Sequence, residues 1–161
     1  MNWLYGLSAW LSRAVLVLAG ICLALLGVIV LYGVVLRYVF NNAPPYVEQI
    51  ALLLVICVAM FGAAAGVHAA GHIGLDSVVK LLPPAGQRFC ALLVEVLNLV
   101  FAAVLTWGSW LMAHSTAHDV IPTLGISEAS RYVPVITAGI LIAIFSLTRL
   151  LGLLSQPQQQ A

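Results

Sequence analysis

Residues 14–36 read AVLVLAGICLALLGVIVLYGVVL, 23 consecutive residues without a charge. As a helix this run rises about 34 Å, enough to cross the ~30 Å hydrocarbon layer of a bilayer with some tilt. A helix that is apolar on every side needs either a large protein core or lipid around it. A chain of 161 residues that is 63% hydrophobic and 7% charged has no second polar domain to supply such a core. Lipid is therefore the solvent, and the fold follows from finding the other crossings.

Working outward, three more runs have spanning length: 49–67, 89–113 and 132–148, the last reaching about 151 if Arg149 snorkels. Trp3, Tyr5 and Trp10 precede the first run and Tyr38 and Phe40 follow it, as aromatic anchors at the two interfaces. Asn41-Asn42-Ala43-Pro44-Pro45 is a turn, because proline disfavours helix in the residue before it. Pro134 falls in the first turn of the fourth run, where its missing N–H is harmless. Between the second and third runs, Leu75, Val78, Val79 and Leu82 recur at i, i+3, i+4 and i+7, opposite Asp76, Ser77 and Lys80. That segment is too short to span, and its pattern predicts an amphipathic helix over 73–82 lying in the interface plane. The expected fold is thus a single all-α membrane domain over 1–161. It has four transmembrane helices, at about 14–36, 49–67, 89–113 and 132–151, plus a short interfacial helix. Arg13, Lys80, Arg88 and Arg149 lie on one side and Arg37 and Arg131 on the other, which predicts both termini in the cytoplasm.

Composition also removes function classes. A formal net charge of +1 indicates neither nucleic acid nor an acidic partner. No phosphate-binding glycine loop, CxxC or Ser/His/acid pattern occurs, so no enzyme is expected. Cys22, Cys57 and Cys90 lack redox or metal spacing and read as small buried hydrophobes. The histidines form two i,i+4 pairs, His68/His72 and His114/His118. Two histidines on one helix face the same way and cannot sandwich a haem iron, and antiparallel spans put the pairs at opposite membrane surfaces. No cofactor or metal is expected on the chain.

An ionisable group within a span is a functional hypothesis by default, so Glu95 is the candidate that matters most. Asn98, three residues on, shares its helix face. Glu95 could be the coupling carboxylate of a self-sufficient proton-coupled exporter, or it could make a polar contact between helices or subunits. A transport site needs several converging polar groups, and the other spans offer few, so the contact is the preferred reading. Gly62 and Gly66 form a GxxxG pair suited to close helix packing.

Several short segments, read in order, carry a resemblance. These are Arg37-Tyr38-Val39-Phe40-Asn41, Glu48 opening the second run, Gly62-Ala63-Ala64, Gly71-His72-Ile73 with Asp76 and Pro83, Thr123-Leu124-Gly125-Ile126, and Tyr132-Val133-Pro134. Their order, spacing and four-span frame, over roughly 30–150, resemble the small membrane subunit of tripartite ATP-independent periplasmic (TRAP) transporters, the DctQ-like family. Two positions depart from the family pattern: no basic residue stands shortly before Gly71, and Ser127 stands where proline is common. The resemblance implies a bacterial inner-membrane scaffold for a sodium-coupled importer of organic acids. Its partners would be a large elevator-type permease subunit carrying the sodium, a periplasmic substrate-binding protein, and membrane lipids. Arg37, Asn41, Glu48, His72, Asp76 and Tyr132 are the expected structural or partner contacts, with Glu95 and Asn98 for an intramembrane contact. A haem-bearing respiratory anchor is the remaining alternative.

Overall fold

The computed structural model describes residues 2–42, 44–69, 83–122 and 125–155. These residues form four long helices: α1 (Asn2–Val39), α2 (Pro45–Ala69), α3 (Pro84–Ser115) and α4 (Val133–Ser155). All four are long and apolar enough to cross a membrane. α1, α2 and α3 contain their predicted spans and overrun them at both ends, while α4 starts one residue later than predicted, at Val133, and runs on past the predicted end to Ser155. The apolar runs mark where the chain meets hydrocarbon, whereas helical hydrogen bonding continues into the interface until a breaker stops it. α1 shows this most clearly, because it is already helical at Asn2 and carries the aromatic anchors on its own first turns. The predicted interfacial helix 73–82 lies outside the described residues.

Breakers set the visible ends. After α1, Asn41 takes a left-handed φ of 49° and the Asn42 amide returns to the Leu36 carbonyl at 3.0 Å. Asparagine tolerates that conformation better than most residues. Pro83, extended at φ −60° and ψ 155°, precedes α3, and its carbonyl receives the amides of Gly86 and Gln87.

The connection from α3 to α4 is folded. Val120 and Ser127 form an isolated antiparallel bridge, and Ile121 N–H donates to the Ile126 carbonyl at 2.9 Å. Gly125 turns between them at φ +66°, a region a side chain would strain. The Ser127 hydroxyl donates to the Ala117 carbonyl and accepts from the Ala129 amide, opening a 3-10 turn over Glu128–Arg131. Proline at 127 could make neither side-chain bond, so the departure from the family pattern has a local purpose here.

The helices pack in the order α1–α2–α4–α3, with α2 and α4 in the centre. Hydrogen bonds fix the register. Arg131 reaches Gln49 and Arg149 reaches Val67, each 82 residues back, so α2 and α4 run parallel. The buried cluster consists mainly of small side chains: Val15, Ala64, Ala65, Ala102, Ala138 and Ile142. In lipid the hydrophobic effect does not drive helices together, so close approach through small residues supplies the attraction by dispersion. Gly139 illustrates the closeness, since a Cβ there would run into the Thr106 hydroxyl and come within 3.4 Å of the Ala102 carbonyl. The GxxxG pair does not do this job within the chain. A Cβ on Gly62 or Gly66 would meet nothing within 4 Å, and the neighbouring Ala64 and Ala65 carry the packing.

Candidate functional site: a polar clamp joining three spans

The polar centre of the fold is Arg149. Its side chain does not run out to the headgroups from the end of α4 but turns inward. Nη1 donates to Glu95 Oε1 on α3 at 3.2 Å and to the Val67 carbonyl of α2 at 3.1 Å, and Nη2 donates to the His68 carbonyl at 3.1 Å. One guanidinium therefore ties α4 to both neighbours. The chemistry follows from the helix ends. The last four carbonyls of a helix lack intrahelical partners and carry the negative end of its dipole. Val67 and His68 are in the final turn of α2, which ends at Ala69. Arg149 supplies both the donors and the positive charge that this end lacks, with a planar fork that reaches several acceptors.

Glu95 completes the charge balance. Its side chain is 7% exposed, against 23% for Arg149. An isolated carboxylate at that burial would be very costly, and the facing guanidinium is what allows it. Oε2 is buried without a hydrogen-bond partner among the described residues. The His68 ring meets the Phe145 ring edge-on, with centroids 5.0 Å apart, and so packs the α2–α4 seam beside the clamp.

A second clamp holds the opposite end of the seam. Arg131, at the end of the 3-10 turn, donates to Gln49 Oε1 at 2.5 Å and pairs with Glu128 at 3.2 Å. Arg88, low on α3, donates to the Leu153 carbonyl at 3.3 Å, a longer and exposed contact with the last turns of α4.

The other sequence candidates do not converge. Arg37, Asn41 and Glu48 are exposed at the α1–α2 connection. Tyr132 is half-buried, its amide bonded to the Ala129 carbonyl and its carbonyl accepting from the Ile136 amide. Asn98 is half-buried in the middle of α3 and is not part of the clamp. His72 and Asp76 lie outside the described residues. His114 and His118 are exposed, and among the described residues no three His, Cys, Asp or Glu side chains come together.

Sequence reasoning missed two arrangements. Arg149 was read as a span-end charge, although its pairing with Glu95 is signalled by antiparallel register. Glu95 lies 20 residues before the end of α3 at Ser115 and Arg149 lies 16 residues after the start of α4 at Val133, so antiparallel packing brings them to a similar depth. Cys22 and Cys57, 35 residues apart in sequence, have no motif spacing, yet the antiparallel α1–α2 seam brings them to the same level. The signal was their equal distance from the turn near residue 40.

Four membrane-crossing helices whose internal charges fasten the helices to one another define a small multi-pass membrane subunit. Comparison specifies the class. Residues 26–156 match the family described as Tripartite ATP-independent periplasmic transporters, DctQ component, and the chain belongs to that family. It is similar to a putative TRAP transporter small permease protein of Haemophilus influenzae, at 29% identity over 147 residues covering 91% of both chains. A second protein of that organism with the same description is 19% identical over 146 residues, 89% of this chain and 88% of the other. The C4-dicarboxylate TRAP transporter small permease protein DctQ of Vibrio cholerae is 28% identical over 78 residues, 48% of this chain and 34% of that one. The chain is thus a TRAP transporter small permease subunit and a multi-pass protein of the bacterial inner membrane.

Proposed function

We propose that the chain is the membrane scaffold of a sodium-coupled importer of organic acids. It holds the static part of a large elevator-type permease subunit and helps dock a periplasmic substrate-binding protein. The observation that carries this reading is the Arg149 clamp. Glu95 is tied at Oε1 to a guanidinium that also holds two backbone carbonyls. A coupling carboxylate must exchange its proton or ion during each cycle, and one with this fixed partner is suited to holding helices. The apolar faces of α1 and α3, including Leu31, Val104 and Trp107, leave ample surface for lipid or another subunit.

In this reading both termini are cytoplasmic, so the 114–131 loop faces the periplasm and meets the binding protein. The amphipathic 73–82 segment sets depth from the cytoplasmic interface. Sodium belongs to the large subunit, and this chain holds no cofactor. The carboxylate class rests on the family and on the C4-dicarboxylate named for the Vibrio cholerae relative. Arg37, Asn41, Glu48, His72, Asp76 and Tyr132 remain the contacts proposed for partners and headgroups. Affinity purification of the tagged chain from its native membrane in mild detergent tests the assembly. The large permease subunit should accompany it in stoichiometric amount, and recovery of the chain by itself from gently solubilised membranes would refute the scaffold role.

A further inference from the structure

The α1–α2 seam holds a pair of groups that the scaffold role does not use. Cys22 is buried and Cys57 half-buried, both are free thiols, and the two positions face one another across the seam. The seam's register agrees. A Cβ on Gly33 would lie 2.8 Å from Val47 Cγ1, and Val15 shares a cluster with Ala64 and Ala65. Those antiparallel pairings place residue 22 opposite residue 57. Depth follows from the sequence: Cys22 is nine residues past Arg13, and Cys57 is nine past Glu48. Each thiol thus sits about 14 Å of helix rise from a polar end, near the middle of a ~30 Å hydrocarbon layer.

We propose that Cys22 and Cys57 form an oxidisable dithiol at the bilayer midplane, which a lipid-soluble organic hydroperoxide converts to a disulfide joining α1 to α2. The depth selects the oxidant, since charged oxidants are excluded from hydrocarbon and apolar peroxides dissolve in it. One sulfur attacks the terminal peroxide oxygen, the O–O bond breaks, and the alcohol leaves with the thiol proton as a sulfenic acid forms. The second sulfur then attacks the sulfenic sulfur and expels its hydroxyl, which departs with the second thiol proton as water. Two thiols are oxidised and one peroxide is reduced to an alcohol and water. The product bolts α1, an outer helix of the packing order, to α2 across its midpoint. This inference rests on the α1–α2 seam and not on the transporter reading.

The test uses the full chain in lipid nanodiscs treated with cumene hydroperoxide, then denatured, alkylated and weighed intact. The chain has three cysteines, so untreated protein takes three labels. Treated protein should take one, on Cys90, with a Cys22–Cys57 linked peptide and recovery of three labels after reduction. C90S should still form the bridge, while C22S and C57S should not. Three labels persisting after treatment, oxygen adducts on single cysteines in place of the bridge, or a bridge through Cys90 would each overturn the proposal. Equal reaction with the dianionic oxidant tetrathionate would overturn the assigned depth.

Discussion

Replacing Arg149 by methionine should be among the most damaging single changes in the chain. At 3.2 Å from Glu95 Oε1, the gross attraction is about 5 kcal/mol at an effective dielectric of about 20. Much of this is offset by the cost of withdrawing both charges from water, so the net value of the pair is far smaller. Removing the arginine alone does not recover that cost, because Glu95 stays 7% exposed without its partner. The Val67 and His68 carbonyls also lose their donors. Removing one member of a buried pair costs roughly 3–5 kcal/mol, and the 23% exposure of Arg149 argues for the lower part of that range, about 3 kcal/mol. Glu95→Leu should cost less, about 1–2 kcal/mol, because Arg149 keeps two carbonyl acceptors and partial access to the interface. The double variant should lose clearly less than the sum, with a coupling of about 1–3 kcal/mol. Reversible unfolding in mixed micelles, followed by circular dichroism for the four proteins of the cycle, measures this directly. Additive losses, or an Arg149→Met variant as stable as the parent, would refute the clamp.

Three other expectations concern packing, the second clamp and topology. Gly139→Ala should destabilise the α3–α4 seam by about 1–3 kcal/mol, because its Cβ meets Thr106 and the Ala102 backbone. Gly62→Ala, facing open space within the chain, should leave the isolated subunit within about 0.5 kcal/mol of the parent in the same unfolding assay. Gln49→Leu should cost about 1–2 kcal/mol, because it removes the contact through which Arg131 grips α2. Faster hydrogen exchange in the Glu128–Arg131 turn would be its local signature. A cysteine introduced at the exposed His118, in a background lacking the three native cysteines, should react with a membrane-impermeant maleimide added outside intact spheroplasts. Labelling only after lysis would invert the proposed orientation.

Fold class was legible because lipid makes a simple demand: every backbone polar group must be satisfied within its own segment, so long apolar runs become helices. Segments 14–36 and 89–113 could be read without reference to anything else in the chain. Helix ends were less legible, because apolarity reports hydrocarbon thickness while capping reports where hydrogen bonding stops. Asn41 and Pro83 signalled their ends, whereas nothing marked that the chain would already be helical at Asn2, well ahead of the apolar run. The clamp was half visible. Glu95 stood out as a charge in a span, but Arg149 was close enough to its end to pass for a snorkelling residue. Only the register of α4 against α2 and α3 distinguishes the two roles. Ser127 followed the same pattern: as a residue it was a departure from the family, and its purpose emerged only with the Ala117 carbonyl and the Ala129 amide around it.

The central claim is that the ionic groups of these four helices hold the helices together and leave transport to a larger subunit. Reconstitution into liposomes under an inward sodium gradient tests it most directly, with uptake of the labelled solute that its binding protein carries measured for this chain by itself and for the chain with its large permease subunit and binding protein. The account predicts no gradient-driven uptake through the chain by itself and sodium-dependent uptake through the assembly, whereas uptake by the isolated chain that Glu95→Gln abolishes would contradict it.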